Sequence, residues 1–207
     1  LTYHSVPTMA VVTDTCTGII AYNVRLLKRI IQTKNSEIIL TGFRALNSLY
    51  GGDDVFSSNR ELGGPQIMGP NGVSHHIVED ESEACKSVLK WLSGVPVTMA
   101  ETAPIIQTED PIDRDITMDL FGPNGLIESP KPDTERPVPY DTMELVRTIF
   151  DKGTTEEAME DWAGTVHVGR ANLGGYPVGF ISVETRTVEK VIPADPSIEG
   201  SAPVELN

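Results

Sequence analysis

The first hundred residues alternate between short strand-like apolar runs and helix-like apolar stripes. A β-type run at 8–13 ends in a small polar turn at 14–18, and a stripe at helical spacing follows at once. Its members are Ile20, Val24, Leu27 and Ile31. A second strand is predicted over 37–41 and a second helix over 43–49. Repeated strand–turn–helix units predict an α/β layered fold.

A longer helix is predicted over residues 81–92. Acidic side chains open it, Lys86 and Lys90 come late, and this order suits the helix dipole. Gly94, just past the last helical residue, is the expected stop.

The last sixty residues predict one more helix and then a β-hairpin. Thr154 and Glu157 form a capping-box pair, which predicts a helix directly after them. Apolar runs that begin at Val166 and Val178 flank a turn at 174–177, which predicts the hairpin.

Aromatic, thiol and imidazole side chains are predicted to be structural. Both tryptophans lie on predicted apolar helix faces, and the two cysteines are far apart without a CxxC, which argues against zinc or a disulfide scaffold. The residues expected in the core are Trp91, Trp162, Cys16 and Cys85. His75 and His76 are adjacent, so on a strand they would face opposite sides and share no metal.

The uneven distribution of charge and proline predicts a division of the chain into segments. The 207 residues carry 30 acidic and 16 basic side chains, and the resulting charge of −14 argues against a nucleic-acid partner. Eleven acidic residues and seven of the 15 prolines fall within 101–145, which indicates an extended connector. We therefore predict three segments, at 1–100, 101–148 and 149–207.

The ends and the hydropathy give two further expectations. No apolar run approaches the roughly 20 residues that a membrane span needs. Residues 1–10 have neither a starting Met nor leader features, so we expect the chain to be an interior part of a longer protein.

The turn around Gly18 is the best local candidate for chemistry. A strand that turns through glycine into a helix leaves N–H groups at the helix start that can hold a phosphate or a developing oxyanion. An ordinary turn needs the same small residue, so the residues alone leave both interpretations open. No GxGxxG or Walker lysine supports a nucleotide site.

Arg170 is the second candidate, since it lies between Gly169 and Ala171 in a predicted strand. An arginine with small neighbours can be approached closely and can hold a carboxylate through two parallel hydrogen bonds. The alternative is an exposed strand arginine with no ligand.

Longer sequence runs carry family-level information. They are FDKG at 150–153, VGRANLGGYPVG at 168–179, VETRTVEKVIPADP at 183–196, IILTGFRALN at 38–47, SSNRELGGPQIM at 57–68, NGVSH at 71–75 and WLSGVP at 91–96. These runs resemble the carboxyltransferase component of the large multidomain acetyl-CoA carboxylases of eukaryotes. The resemblance spans most of the chain and is weakest in the acidic connector.

The resemblance implies a crotonase-like α/β fold in two related halves, of which this chain is the end of the first half, the connector and the start of the second. It implies transfer of a carboxyl group from carboxybiotin to acetyl-CoA at the interface of a homodimer, giving malonyl-CoA for fatty-acid synthesis. Biotin would be attached to a separate carrier domain, and ATP would be used by a separate biotin carboxylase domain.

The resemblance also assigns roles to residues. By position, Gly18 and Ile19 would donate backbone N–H groups to the enolate oxygen of the thioester, and Arg170 would hold a carboxylate. The implied substrate-binding residues are Thr15, Ile20, Ala21, Tyr22, Gly174 and Gly175.

Two positions depart from the family pattern. Thr15 stands where the family usually carries an arginine, and threonine cannot replace a bidentate charge. Ile20 stands where the family's GIGAY has its second glycine, and its branched side chain would crowd the thioester. A catalytically impaired, carboxylase-derived scaffold or interaction module is therefore the alternative. A crotonase-type hydratase would need a positioned Glu pair that is not identifiable in the sequence.

CoA is strongly anionic, so a chain of this charge needs a local positive patch to bind it. The candidates are Arg25, Lys28, Arg29 and Arg44, and a solvated helix face is the alternative interpretation of the same residues. The compartment is left open between the cytoplasm and a plastid-type organelle.

Overall fold

The computed structural model describes residues 2–4, 6–51, 55–111, 113–128, 138–192, 194 and 200–206. The chain forms two compact units. The first unit consists of Leu1–Lys90, Met159–Trp162 and Glu189–Asn207, and the second of Trp91–Ala158 and Ala163–Val188. The predicted boundaries at residues 100 and 148 stay predictions, and positions 129–137 of the connector lie outside the described residues.

The secondary structure is mixed. A 3₁₀ turn spans Thr2–His4. The strands are β1 Met9–Val12, β2 Cys16–Thr17, β3 Arg29–Thr33, β4 Ile38–Ile39, β5 His76–Val78, β6 Glu156–Ala158, β7 Val166–Leu173, β8 Tyr176–Val183, β9 Lys190–Ile192 and β10 Val204–Leu206. The helices are α1 Ile19–Arg25, α2 Phe43–Tyr50, α3 Arg60–Gly63, α4 Pro65–Met68, α5 Glu81–Ser93, α6 Thr117–Phe121 and α7 Thr142–Ile149. The α/β prediction is confirmed.

The core of the first unit lies on a parallel sheet in the order β1–β3–β5. β3 is the central strand, and both Ile30 and Ile31 are 0% exposed. Beside it, β2 pairs in parallel with β4, and α1 follows β2 directly. The buried residues of the main cluster are Ala10, Val12, Cys16, Ala21, Val24, Ile30 and Ile38.

The predicted helix after Gly18 is shorter than its apolar stripe. The helix α1 ends at Arg25, Leu27 follows it, and Ile31 belongs to β3. The match of Ile31 to the stripe is accidental, because Arg29–Thr33 is a fully buried, partly β-branched run that forms hydrogen bonds with a strand on each side. Tertiary pairing, not helical periodicity, decides its conformation.

The second unit is built on an antiparallel sheet in the order β6–β7–β8. The hairpin β7–β8 turns at Gly174 and Gly175, as predicted. The helix α7 packs on the sheet, and its Met143 and Val146 form a buried cluster with Ala171 and Phe180. The α7 N-cap is Asp141, whose carboxylate accepts hydrogen bonds from the first-turn amides.

The helix predicted after Thr154 is wrong. Residues 156–158 form the strand β6, which pairs with β7. The hydroxyl of Thr154 donates to the Asp151 carbonyl oxygen at 2.7 Å, and Glu157 contacts His167, so no capping box forms. A short polar segment gains more from pairing with the edge of the hairpin than from an isolated helix of this length.

The described part of the acidic segment at 101–148 contains regular secondary structure. It includes α6 and most of α7. The apolar face of α7 is buried against the sheet, and this packing stabilises the helix. The sequence did not predict α7, because the many prolines around it indicated an extended segment.

Two of the four residues predicted to be buried are exposed. Cys16 is buried, and burial raises the pKa of its thiol, whereas Cys85 is exposed. Trp162 is 46% exposed, and Trp91 is half-buried. In the described parts of the chain, no helix is both long and apolar enough to cross a bilayer.

Candidate functional site

The backbone at Gly18 adopts a conformation that only glycine takes readily. Its φ is +67° and its ψ is −128°. An added Cβ would lie 4.0 Å from the nearest atom outside the adjacent residues, the Leu40 carbonyl oxygen, so conformation rather than space requires glycine here. The turn that the sequence predicted between β2 and α1 is therefore present.

The amides at this turn are not equivalent. The Gly18 N–H donates to the Ile39 carbonyl oxygen at 3.0 Å and extends the β2–β4 pairing by one residue. Because this donor is already paired, it is not free for an oxyanion. Across the described part of the chain, the amides of Ile19 and Ile20 have no such acceptor, as expected for the first turn of a helix.

The side chains around the turn are apolar on the outside. Ile19 and Tyr22 are exposed, and Ile20 is 58% exposed. Ala21 is buried in the core of the first unit, so its side chain is not presented at the surface, and its role in substrate binding stays a prediction. The branched Ile20 side chain thus lies at the surface beside the free amides.

Thr15 lies in acidic surroundings. Its hydroxyl donates to the Glu37 carboxylate at 2.5 Å, and its N–H donates to the Asp14 carboxylate at 2.7 Å. A carboxylate ligand would be repelled by these two charges, whereas the arginine of the family pattern would attract it.

Arg170 extends from β7 on the face opposite to the core of the second unit. Its neighbours are small for a packing reason: Ala171 is buried, and a Cβ at Gly169 would come within 2.7 Å of the Phe180 ring. Since alternate residues of a strand face opposite sides, these small residues do not open access to Arg170. The sequence-based reason for its access is therefore wrong.

The guanidinium of Arg170 has its own surroundings on that outer face. It lies over the Trp91 indole, with Cζ 4.1 Å from the ring centroid, and its Nη1 donates to the Trp91 carbonyl oxygen at 3.3 Å. Glu156 lies opposite it on β6. Burial lowers the pKa of Arg170, Glu156 opposes this shift, and the group stays charged at neutral pH.

The Gly174 and Gly175 amides are engaged within the chain. They donate to the two carboxylate oxygens of Asp151 at 2.8 and 2.7 Å. A Cβ at Gly175 would lie 2.3 Å from the Ile106 carbonyl oxygen. The predicted role of these glycines in substrate binding therefore has no free amide to support it.

Three of the four residues proposed for a positive patch are exposed. They are Arg25, Lys28 and Arg44, whereas Arg29 is buried in β3.

The imidazole of His75 is held in its neutral form. Burial lowers the pKa of His75, and the charges of Arg29 and Arg25 add to this effect. The Nδ1 atom of His75 accepts a hydrogen bond from the Ile30 amide at 3.2 Å, which requires that nitrogen to be unprotonated.

Sequence reasoning missed Asp151 and the pairing of Trp91 with Arg170. Asp151 belongs to the FDKG run and Trp91 to the WLSGVP run, so both stood in recognised motifs without an assigned role. Among the described residues, no group of three His, Cys, Asp or Glu side chains is placed to hold a metal ion.

A titratable cluster lies on the second unit around His167. Its Nδ1 lies 2.6 Å from the Glu157 carboxylate, and its Nε2 lies 3.4 Å from that of Glu184. Burial by itself lowers the pKa of His167, but the hydrogen bonds and charges of the two glutamates outweigh it and raise the pKa. Arg186 is the main cause that lowers the pKa of Glu184, to about 2.

We expect the stability of β7 to fall as the pH rises above neutrality. Because the pKa of His167 is raised on folding, its contribution is complete below its unfolded value and is lost as the pH rises through the folded value. Hydrogen exchange of β7, corrected for the intrinsic pH dependence, measures this at pH 6 and pH 8.5. His167→Gln should remove the difference and the exposed His4→Gln should retain it. A pH-independent wild-type protein would contradict the prediction.

The fold of this chain is similar to that of a known enzyme structure. The structure superposes on that of transcarboxylase 12S, solved with methylmalonyl-coenzyme A and methylmalonic acid bound, with a TM-score of 0.72 at 24% identity, covering 86% of this chain and 32% of the other. A second solved structure of transcarboxylase 12S, with hydrolysed methylmalonyl-coenzyme A bound, gives a TM-score of 0.71. The chain thus shares the fold of the matched part of transcarboxylase 12S.

The family follows from the sequence comparisons. The family model described as carboxyl transferase domain matches residues 1–200. The chain is 46% identical over 200 residues to an acetyl-CoA carboxylase of Dictyostelium discoideum, and 42% identical over 205 residues to that of Saccharomyces cerevisiae. These matches cover 94% and 97% of this chain but only 8% and 9% of the relatives. The chain belongs to the carboxyl transferase domain family, as its motifs indicated.

Proposed function

We propose that this chain is the carboxyltransferase part of a biotin-dependent acetyl-CoA carboxylase. The reaction is transfer of the carboxyl group from carboxybiotin to acetyl-CoA, which gives malonyl-CoA for fatty-acid synthesis. The observation that carries the proposal is identity of 38–46% to relatives named acetyl-CoA carboxylase, along almost the whole chain. Because the chain spans 8–9% of those relatives, the activity belongs to the whole protein.

The motif resemblance motivates a more specific placement within that protein. In this proposal the chain is the end of the first crotonase-like half, a connector and the start of the second half. A biotin carrier domain and an ATP-using biotin carboxylase domain lie elsewhere in the protein, and two copies form a homodimer whose interface holds the substrates.

The chain's own residues supply electrostatic stabilisation. The Ile19 amide at the start of α1, with the glycine conformation of Gly18 directing it, donates a hydrogen bond to the thioester oxygen as negative charge develops there. Among the described residues, the free amides at this turn are therefore those of Ile19 and Ile20, whereas the predicted pair was Gly18 and Ile19. Removing one such donor typically costs about 10²–10³ in rate.

Arg170 fits a carboxylate in charge and shape. It is exposed, and its planar fork can make two parallel hydrogen bonds to a carboxylate. When bound, carboxybiotin would supply the carboxyl group and, once that group has left, a ring nitrogen able to accept the methyl proton. This chemistry needs no side-chain base, and Arg170 acts by orienting the carboxylate.

A transfer assay on the full-length protein tests the proposal. We expect the whole protein to convert malonyl-CoA and free biotin to acetyl-CoA and carboxybiotin, the reverse of the proposed transfer. Absence of turnover in a correctly folded, dimeric protein would contradict it.

The alternative is an impaired scaffold, and the site geometry favours it in two respects. The hydroxyl of Thr15 is bound to Glu37 where a cation is expected, and the Ile20 side chain stands beside the free amides. The double variant Thr15→Arg, Ile20→Gly in the full-length protein decides between the two. Activity that appears only in the variant indicates loss of catalysis by drift, whereas strong activity of the unmodified protein dismisses the scaffold.

A further inference from the structure

The side chain and the backbone of Trp91 both contact Arg170. The guanidinium carbon lies 4.1 Å from the centre of the indole, and Nη1 donates to the Trp91 carbonyl oxygen at 3.3 Å. Trp91 stands in the last turn of α5, and Arg170 is in the middle of β7. A planar cation over an aromatic face is attracted by the ring quadrupole, and arginine forms this contact more often than lysine.

A second contact fixes this segment on the same hairpin. Gly94, three residues after Trp91, packs on Pro177 of β8, and a Cβ at Gly94 would lie 3.1 Å from the Cβ of Pro177. Asn172 is opposite Pro177 in the β7–β8 pairing, two residues from Arg170. The end of α5 is therefore held at two points on the outer face of the strands that carry Arg170.

The stack leaves the binding edge of the guanidinium available. Within the described residues, Nη1 has its hydrogen bond to the Trp91 carbonyl, and Nε and Nη2 have no hydrogen-bond partner. Nε and Nη2 are the side-on pair that holds a carboxylate through parallel hydrogen bonds. Arginine normally loses considerable rotamer entropy when it binds, and a stacked arginine has lost much of it beforehand.

We propose that Trp91 is a positioning residue for Arg170: its indole and carbonyl orient the guanidinium so that the Nε–Nη2 edge faces the substrate carboxylate. The inference rests on the proposed function, in which Arg170 holds that carboxylate. Trp91 itself touches no reacting atom. Glu156, opposite Arg170 on β6, adds charge on this face but cannot fix the plane of the guanidinium as the ring does.

Ligand pairs with and without a carboxylate provide the test. In the full-length protein, Trp91→Leu should weaken malonyl-CoA binding about tenfold, since it removes both the stacking attraction and the preorganisation. Binding of acetyl-CoA, which lacks the carboxylate, should change less than about twofold. Trp91→Phe, which keeps an aromatic face, should restore most of the malonyl-CoA affinity. Leu89→Ala, an exposed position on the same helix, is the matched control and should affect neither ligand.

A combined variant separates positioning from a general structural role. If Trp91 acts through Arg170, Trp91→Leu should have no further effect on malonyl-CoA binding in an Arg170→Ala background. Equal losses for acetyl-CoA and malonyl-CoA, or additive losses in the combined variant, would overturn the proposal. The proposal would also be overturned if Trp91→Leu bound malonyl-CoA as tightly as the wild-type protein while Arg170→Ala bound it more weakly. The proposed function would stand in that case. Unchanged binding in Arg170→Ala would overturn this inference together with the carboxylate-binding role of Arg170, whereas the carboxyltransferase function itself depends on the transfer assay.

Discussion

With the proposed function, Arg170→Ala should lower carboxyl transfer by the full-length protein about 100-fold. A bidentate carboxylate pair contains two charge-assisted hydrogen bonds, worth about 1.5–3 kcal/mol each. Losing about 2.7 kcal/mol of transition-state stabilisation corresponds to about 100-fold in rate. The side chain is exposed and stacks only at its face, so its removal leaves the buried cluster of Ala171 and Phe180 intact.

Two further variants show whether the effect belongs to the guanidinium. Arg170→Lys keeps the charge but loses the planar fork, so an intermediate loss of about tenfold is expected. Arg147→Ala, which removes an exposed arginine paired with Glu144 on α7, is the matched control and should remain near wild-type activity. Steady-state rates of the three variants show whether the loss of activity is due to the guanidinium. Equal rates for Arg170→Ala and the control would remove Arg170 from the site.

Asp151→Ala should open the hairpin turn at 174–175. Both carboxylate oxygens of Asp151 accept backbone N–H groups there, and the Gly175 amide is buried. Leaving a buried donor unpaired costs about 1–3 kcal/mol, so two together cost about 3 kcal/mol of local stability. Amide exchange of Gly174 and Gly175 should then accelerate about 100-fold.

Hydrogen exchange followed by mass spectrometry on the whole protein measures this locally. The substitution removes only the carboxylate, since the Asp151 N–H and carbonyl oxygen keep their bonds to Asn172 and Thr154. Asp151→Asn retains one acceptor oxygen and should give about half the free-energy loss. The exposed Asp119→Ala should not change exchange in the hairpin. Unaltered protection of 174–175 in Asp151→Ala would show that the turn is held by other contacts.

Local sequence signals were sufficient for elements whose stability is mostly local. The hairpin at 166–183 was predicted because alternating residues flank a glycine pair, and both features act over neighbouring residues. The helix α5 was predicted from its charge order and from Gly94, and it ends one residue beyond the predicted limit. The turn at Gly18 was predicted for the same reason, since glycine there relieves a backbone strain that the chain creates locally.

Elements that depend on distant partners were not predictable in this way. Residues 29–33 form a strand because β1 and β5 lie on either side of them. Residues 156–158 form a strand because β7 offers them an edge. In both cases the competing helical signal is a weak local preference, and hydrogen bonds to strands distant in sequence outweigh it.

The candidate site also has features that the sequence indicated and features that depend on distant contacts. The motifs identified Gly18 and Arg170 as positions of interest, but they did not show that the Gly18 amide is used by Ile39 or that Arg170 stacks on Trp91. Ile39 and Trp91 lie 21 and 79 residues away from their partners. No periodicity or spacing in a single sequence reports on contacts of that separation.

The sequence alone determined the family, the α/β class and the residues that carry charge or conformational freedom, because these follow from residue identity and short-range order. Only the tertiary structure decided which amides remain free, which glycines are small for packing and which side chains orient Arg170. Hydrogen-bond donors and ring faces are shared among segments that meet only on folding, so their availability is a property of the folded chain.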